Sequence, residues 1–197
     1  MLTQQAGKRP TGDTRQQVLD TALTLFTERG YFNTSVHDIA RASKVSIGSI
    51  YHHFQDKEGI ARALYRGLME RMEHELAAIS EGHASAHDRC RAIVALLFEL
   101  AEREPQTMAF MLYAKHREFL PNERPVCSSK PFETMRAIVA EGIRHGEICD
   151  TDPVVAATCL FGGPIRMITM RLDRILPEPL PHYLDAVWHC AWRAVAR

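Results

Sequence analysis

The sequence predicts an all-α fold in two parts: a three-helix helix-turn-helix domain over residues 1–57, then a larger helical domain over residues 58–197. Three observations predict it. Apolar residues recur at three- and four-residue intervals in one segment after another, and no segment alternates apolar and polar residues as a half-buried strand would. Helix starts are marked by Ser35, Ser46 and Asp56, and by Asp152 followed by Pro153 at the first helical position. Helix ends are marked by glycines such as Gly30 and Gly146.

The first helix starts at Asp13, with Gln16 completing a capping box, and lines up Val18, Leu19, Ala22, Leu25 and Phe26 on one face until Gly30. The residues before it, with Lys8 and Arg9, read first as a solubilising tail and second as a phosphate contact. The second helix starts at Ser35, is supported by Asp38 and turns Val36, Ile39 and Ala40 inward. After Ala42 the turn Ser43-Lys44-Val45 leads to Ser46, which caps a third helix anchored by Ile50 and Phe54. At 100° per residue, Gly48, Ser49 and His52 point away from that buried edge, flanked by Ser46, Tyr51 and His53.

A long fourth helix runs from Asp56 to about Ser80, with Ile60, Leu64, Leu68, Met72 and Leu76 apolar. After a break at 81–86, helices are expected over 87–103, 105–118, 131–145, 153–175 and 181–196, with an exposed proline-rich loop at 121–131. Proline removes a backbone hydrogen bond, so Gly162-Gly163-Pro164 should break or kink the penultimate helix.

The uncovered face of the third helix is small and rich in hydrogen-bonding groups. Such a face suits the DNA major groove, where a glycine lets the backbone come close and hydroxyl, phenol and imidazole groups reach phosphates or base edges. Thr34, Ser35, Tyr51, His53 and Lys57 are expected on phosphates, and Ser46, Ile47, Gly48, Ser49 and His52 near bases. Lys44, in the turn, suits either role, and the spacing of Ile47 to Ile50 and Phe54 leans it toward the core.

The spacing of Gly30-Tyr31, Thr34-Ser35-Val36, Asp38-Ile39-Ala40, Val45-Ser46, Gly48, Ile50-Tyr51, His53-Phe54 and Lys57-Glu58 resembles the N-terminal DNA-binding domain of the TetR family of transcriptional regulators. The resemblance covers roughly residues 14 to 60. It implies a homodimeric repressor that binds a palindromic double-stranded DNA operator. It also implies that the fourth helix acts as a lever between a small-molecule effector and the reading helices, and that the last two helices pair with their copies in a second subunit.

The rest of the chain is consistent with that implication. The last helix has two stripes, Tyr183, Val187, Cys190 and Ala194 on one side and Leu184, Trp188 and Val195 on the other; the second is assigned to the dimer interface. Beside the kinked helix, Phe98, Met108, Met111, Tyr113, His116, Met135 and Cys159 are expected to line an effector cavity, since flexible methionines suit apolar ligands. Arg166 stands on a largely apolar helix and needs an acceptor, either a carboxylate of its own subunit or the polar end of a mostly hydrophobic ligand.

Composition excludes several classes. Lys plus Arg equals Asp plus Glu at 24 each, yet residues 1–57 hold seven bases against five acids. That mild excess implies weak binding by a single module and specific binding by two. Five cysteines without CxxC spacing argue against a disulfide framework or a zinc finger. Cys90, Cys159 and Cys190 read as small buried residues, while Cys127 and Cys149 leave a thiol redox sensor, or an activator, as the alternative. No catalytic constellation, metal site or cofactor is expected, so an all-helical enzyme is a remote reading. Without a signal peptide or an uninterrupted apolar span of about eighteen residues, the protein is expected to be cytoplasmic and to have no membrane partner.

Overall fold

The computed structural model describes residues 11–197, the first three of them as backbone only. Lys8, Arg9 and the rest of the expected tail lie outside these residues. Ten α-helices follow: α1 (Thr11–Arg29), α2 (Val36–Ser43), α3 (Ile47–Phe54), α4 (Lys57–Gly82), α5 (Ala86–Arg103), α6 (Pro105–Tyr113), α7 (His116–Phe119), α8 (Lys130–Arg144), α9 (Pro153–Leu172) and α10 (Leu180–Arg193). A 3-10 turn spans Val126–Ser128, and among the described residues the only β-type pairing is the isolated bridge between Ile148 and Ala196.

Capping explains the sharp corners. Ser35 closes a full capping box with Asp38, Ser46 accepts from the Ser49 N–H at 3.2 Å and Asp56 accepts from the Gly59 N–H at 2.6 Å. Asp152 accepts from the Val154 and Val155 N–H groups ahead of Pro153. α1 begins at Thr11, ahead of the expected start at Asp13, and the Gln16 amide donates to Asp20.

Two apolar cores organise the chain. The first joins Val18, Ala22 and Phe26 of α1 to Ile39 of α2, Ile50 and Phe54 of α3, and Ile60, Leu64 and Tyr65 of α4. It also takes in Phe110, Phe119 and Leu120, from far beyond the boundary expected after Lys57. The second joins Met72 and Leu76 of α4 to α5, α6, α8, α9 and α10. α4 therefore belongs to both cores. At a rise of about 1.5 Å per residue it is a strut of about 39 Å with the reading domain at one end.

The expected helix 105–118 is divided. It breaks at Ala114, where the backbone becomes extended, and resumes after Lys115 as the single turn α7. The break swings His116, Phe119 and Leu120 into the first core, and no local signal in the sequence announces it. The penultimate helix does not break: α9 runs on through Gly162, Gly163 and Pro164. Its length and composition would suffice to cross a membrane, but it carries Arg166 and Arg171 and packs against α5, α6, α8 and α10.

Candidate nucleic-acid interface and effector cavity

The reading face is built by the α2–α3 turn. Lys44 caps α2 in the left-handed conformation, φ 56° and ψ 27°, a position that glycine usually fills because a Cβ is strained there. Lysine at this corner keeps a cation exposed beside α3. The turn is held from behind by the Gln17 amide, which donates to the Ser43 carbonyl at 2.8 Å. On α3, Ile50 and Phe54 are buried while Tyr51 is 46 % exposed, with Ser46, Gly48 and His52 also exposed. Ser49, His53 and Ile47 are half-buried, so Ile47 lies at the edge of the core and belongs wholly to neither side. A Cβ placed on Gly48 would meet no atom within 4 Å. The protein itself therefore gives no steric reason for glycine at the centre of the face.

One expected phosphate contact, Thr34, needs correction, and a second, Lys57, is partly engaged within the protein. Thr34 is 1 % exposed, and its hydroxyl donates to the Leu25 and Gly30 carbonyls at 3.3 and 3.0 Å; it ties the end of α1 to the start of α2 and does not face outward. Lys57 is half-buried. Its ammonium lies 4.1 Å from the centre of the Tyr31 ring and donates to the Tyr31 carbonyl at 2.9 Å, and burial lowers its pKa. Two of its three N–H groups remain for other acceptors. Ser35 is exposed, but its hydroxyl is shared with Asp38 in the capping box.

Gln17 and Gly59 position this face and were not among the expected residues. A Cβ on Gly59 would lie 1.9 Å from the Phe54 carbonyl oxygen, so only glycine lets α4 start directly beneath the end of α3. The signal in the sequence is a glycine in the first turn of α4, directly after the end of α3, where two helices meet closely. Gln17 carries no comparable signal.

The expected cavity residues separate into three groups. Met108, Met111 and Met135 come together with Met69, Met72, Leu97, Phe132 and Ile165 around an apolar void of about 20 Å³ in the second core. Phe98 is fully buried in the same core without lining the void. The others lie elsewhere.

Tyr113 is exposed, and its hydroxyl donates to Asp173 at 2.8 Å and to the Thr169 carbonyl at 3.1 Å. It borders a separate cleft of about 290 Å³ between the end of α1 and α6–α7. His116 is buried in the first core among Tyr65, Phe110 and Phe119, with Nε2 unpartnered, and burial pushes its pKa down to about 4. Tyr113, still within α6, lies outside the methionine void, and the helix break at Ala114 carries His116 away from the methionines. Arg166 is exposed and donates to the Thr169 hydroxyl at 3.1 Å, so it needs no buried carboxylate. The α9 arginine that is held by a carboxylate is Arg171, bidentate on Glu102 at 2.9 and 3.2 Å.

The stripes of α10 are the reverse of those expected. Trp188 is 5 % and Val195 3 % exposed, and Leu184 is half-buried beside them, so this stripe faces the second core. Trp188 packs there against α5, its indole N–H donating to His87 Nε2 at 3.0 Å. The outward stripe is Val187, Cys190 and Ala194, which forms an apolar groove of about 470 Å³ with Cys159, Gly163, Pro164 and Met167 of α9. Cys159 and Cys190 are thus exposed, contrary to expectation, while Cys90 is buried and its thiol is pushed up to about 12.

Comparison with known proteins agrees with this geometry. Residues 18–64 match the model of the bacterial regulatory proteins of the tetR family. The chain is 32 % identical over 111 residues to the HTH-type transcriptional repressor KstR2 of Rhodococcus jostii, an alignment that covers 56 % of this chain and 53 % of the repressor. It spans about half the length of the curated relatives it matches. Its fold is that of the fatty acid degradation regulator FadR from Bacillus halodurans, with a TM-score of 0.80, 19 % identity and coverage of 94 % and 96 % of the two chains. FadR from Bacillus subtilis in complex with stearoyl-CoA superposes with a TM-score of 0.73 and 23 % identity over 89 % and 96 %. Residues 18–64 thus match the N-terminal domain of the tetR family of bacterial regulatory proteins, and the chain as a whole shares the fold of these solved regulators.

Proposed function

We propose that this transcriptional regulator is a homodimeric repressor that places one α3 per subunit in successive major grooves of a palindromic operator and is released by a mostly hydrophobic small molecule. The observation that carries the DNA half is Gly48, a glycine with open space around it at the centre of a polar, exposed helix face. Ser46, Gly48, Ser49 and His52 approach bases, while Lys44, Ser35, Tyr51, His53 and the free N–H groups of Lys57 serve phosphates. The outward α9–α10 groove supports pairing with a second copy, because an apolar surface of this kind gains from being covered. The protein works in the cytoplasm, where its operator is.

The methionine-lined void is the effector site in this reading. It is smaller than any ligand, so binding must spread the surrounding methionines, which unbranched, polarisable side chains do at low cost. The lining is wholly apolar, which favours a chain or ring without charge at the buried end, and the stearoyl-CoA complex of the Bacillus subtilis relative supports that chemistry. A ligand that fits only the spread state shifts the population toward the arrangement that does not fit DNA. Replacing Tyr51 by alanine should abolish binding to an operator selected from random duplexes by the wild-type protein while leaving the dimer intact; retained affinity removes α3 as the reading helix.

A further inference from the structure

We infer that the segment Leu120–Ser129 is a strap that transmits spreading of the methionine cavity directly to the reading domain, alongside α4. This inference rests on the cavity reading above. The strap is fastened at three places. At its start, Phe119 and Leu120 are buried in the first core, Phe119 stacking on Tyr31 with centroids 4.2 Å apart. In its middle, Glu123 accepts from Arg66 of α4 at 2.7 Å, with the Arg62 Nε 3.6 Å away, and the Arg124 carbonyl accepts the hydroxyl of Tyr65. Toward its end, Val126 and the following Pro131 and Phe132 line the cavity.

Arg62, Tyr65 and Arg66 stand three and four residues apart, so they share one face of α4 just above the reading domain. The ring of His116 also packs on Tyr65, but its Nε2 has no partner. The polar hold of strap on helix therefore rests on the Tyr65 hydroxyl and on Glu123. At the other side the strap is tied to α8, Arg124 donating to Glu133 and Arg136 to the Cys127 carbonyl, at 2.9 and 3.0 Å. A ligand that pushes α8 and Val126 apart thus pulls on Tyr65 and Arg66, about two turns from Lys57 where α3 meets α4.

Tyr65→Phe with Glu123→Ala removes the polar hold of the strap on α4 without touching the cavity or α3. Met135→Trp imitates a ligand, since the larger side chain exceeds the available void. The full chain is compared in four forms: wild type, the strap-cut double variant, and each carrying Met135→Trp. Amide exchange over residues 57–66 and affinity for the selected operator are measured for all four. In the uncut protein, Met135→Trp should speed exchange at least threefold and weaken operator binding at least tenfold. In the strap-cut protein both changes should fall to less than half their uncut size, the remainder passing through α4. Full-sized changes in both backgrounds overturn the strap and leave the cavity reading standing; no change in either background overturns both. If Met135→Trp lacks a cooperative melt, Leu112→Trp, which enters the same void from α6, takes its place with the same outcomes.

Discussion

Gly48→Ala separates what α3 does for the protein from what it does for DNA. The added Cβ meets nothing within 4 Å in the protein, and the position is helical and exposed. Replacing glycine by alanine in a helix stabilises by roughly 0.5–1 kcal/mol. For a chain of this size that should raise the melting temperature by about 1–4 °C. On DNA the same methyl lies where the helix backbone is closest to the groove. Forcing a methyl into a packed contact costs about 1–3 kcal/mol per module, or about 2–6 kcal/mol for two modules, which is a loss of roughly 30-fold to 10⁴-fold in affinity.

Thermal melting by circular dichroism and fluorescence anisotropy on the selected operator read the two effects independently. Gly67→Ala is the internal control, because Gly67 is also helical and exposed with open space at its Cβ, but lies on α4. It should stabilise comparably and leave operator affinity unchanged. A Gly48→Ala protein that melts higher and binds the operator within twofold of wild type would refute the reasoning, since its α3 backbone would then have room to spare on DNA.

Three further outcomes follow from the geometry. Gly59→Ala drives a Cβ into the Phe54 carbonyl and should destabilise by at least about 1–3 kcal/mol, with weaker operator binding because α3 is displaced; an unchanged melt would show that α3 and α4 separate freely. His116, held at about 4 against an ordinary value of 6.5, is protonated in the unfolded chain first as the pH falls. Its contribution is intact above pH 6.5 and is lost between pH 6.5 and 4, reaching on the order of 3 kcal/mol. The stability of His116→Phe relative to wild type should therefore rise over that window in urea titrations, and a difference independent of pH contradicts the burial argument. Finally, Trp188→Ala should cost about 3–5 kcal/mol of stability, whereas Cys190→Asp, at an exposed position of the outward groove, should leave the monomer folded and weaken dimerisation in sedimentation; a Cys190→Asp protein that still sediments as a dimer places the interface elsewhere.

The sequence alone determined most helix starts and the reading motif, because their signals act over four residues or fewer. Ser35 with Asp38, Ser46, Asp56 and Asp152-Pro153 each satisfy backbone groups one turn away, and the spacing of Ile50 to Phe54 marks the buried edge of α3 without reference to distant residues. Tertiary structure decided which way ambiguous faces turn. α10 carries two stripes of equal periodicity, and its contact with α5, through Trp188 on His87, is what sends Leu184, Trp188 and Val195 inward. Thr34 has the chemistry of a phosphate contact, but the distant Leu25 carbonyl claims its hydroxyl. The break at Ala114 is likewise written in no local residue; burial of Phe119 and Leu120 against α1 and α4 imposes it and takes His116 out of the cavity. Periodicity shows that a face is apolar, but which partner covers it depends on residues far away in the chain, and only folding brings those together.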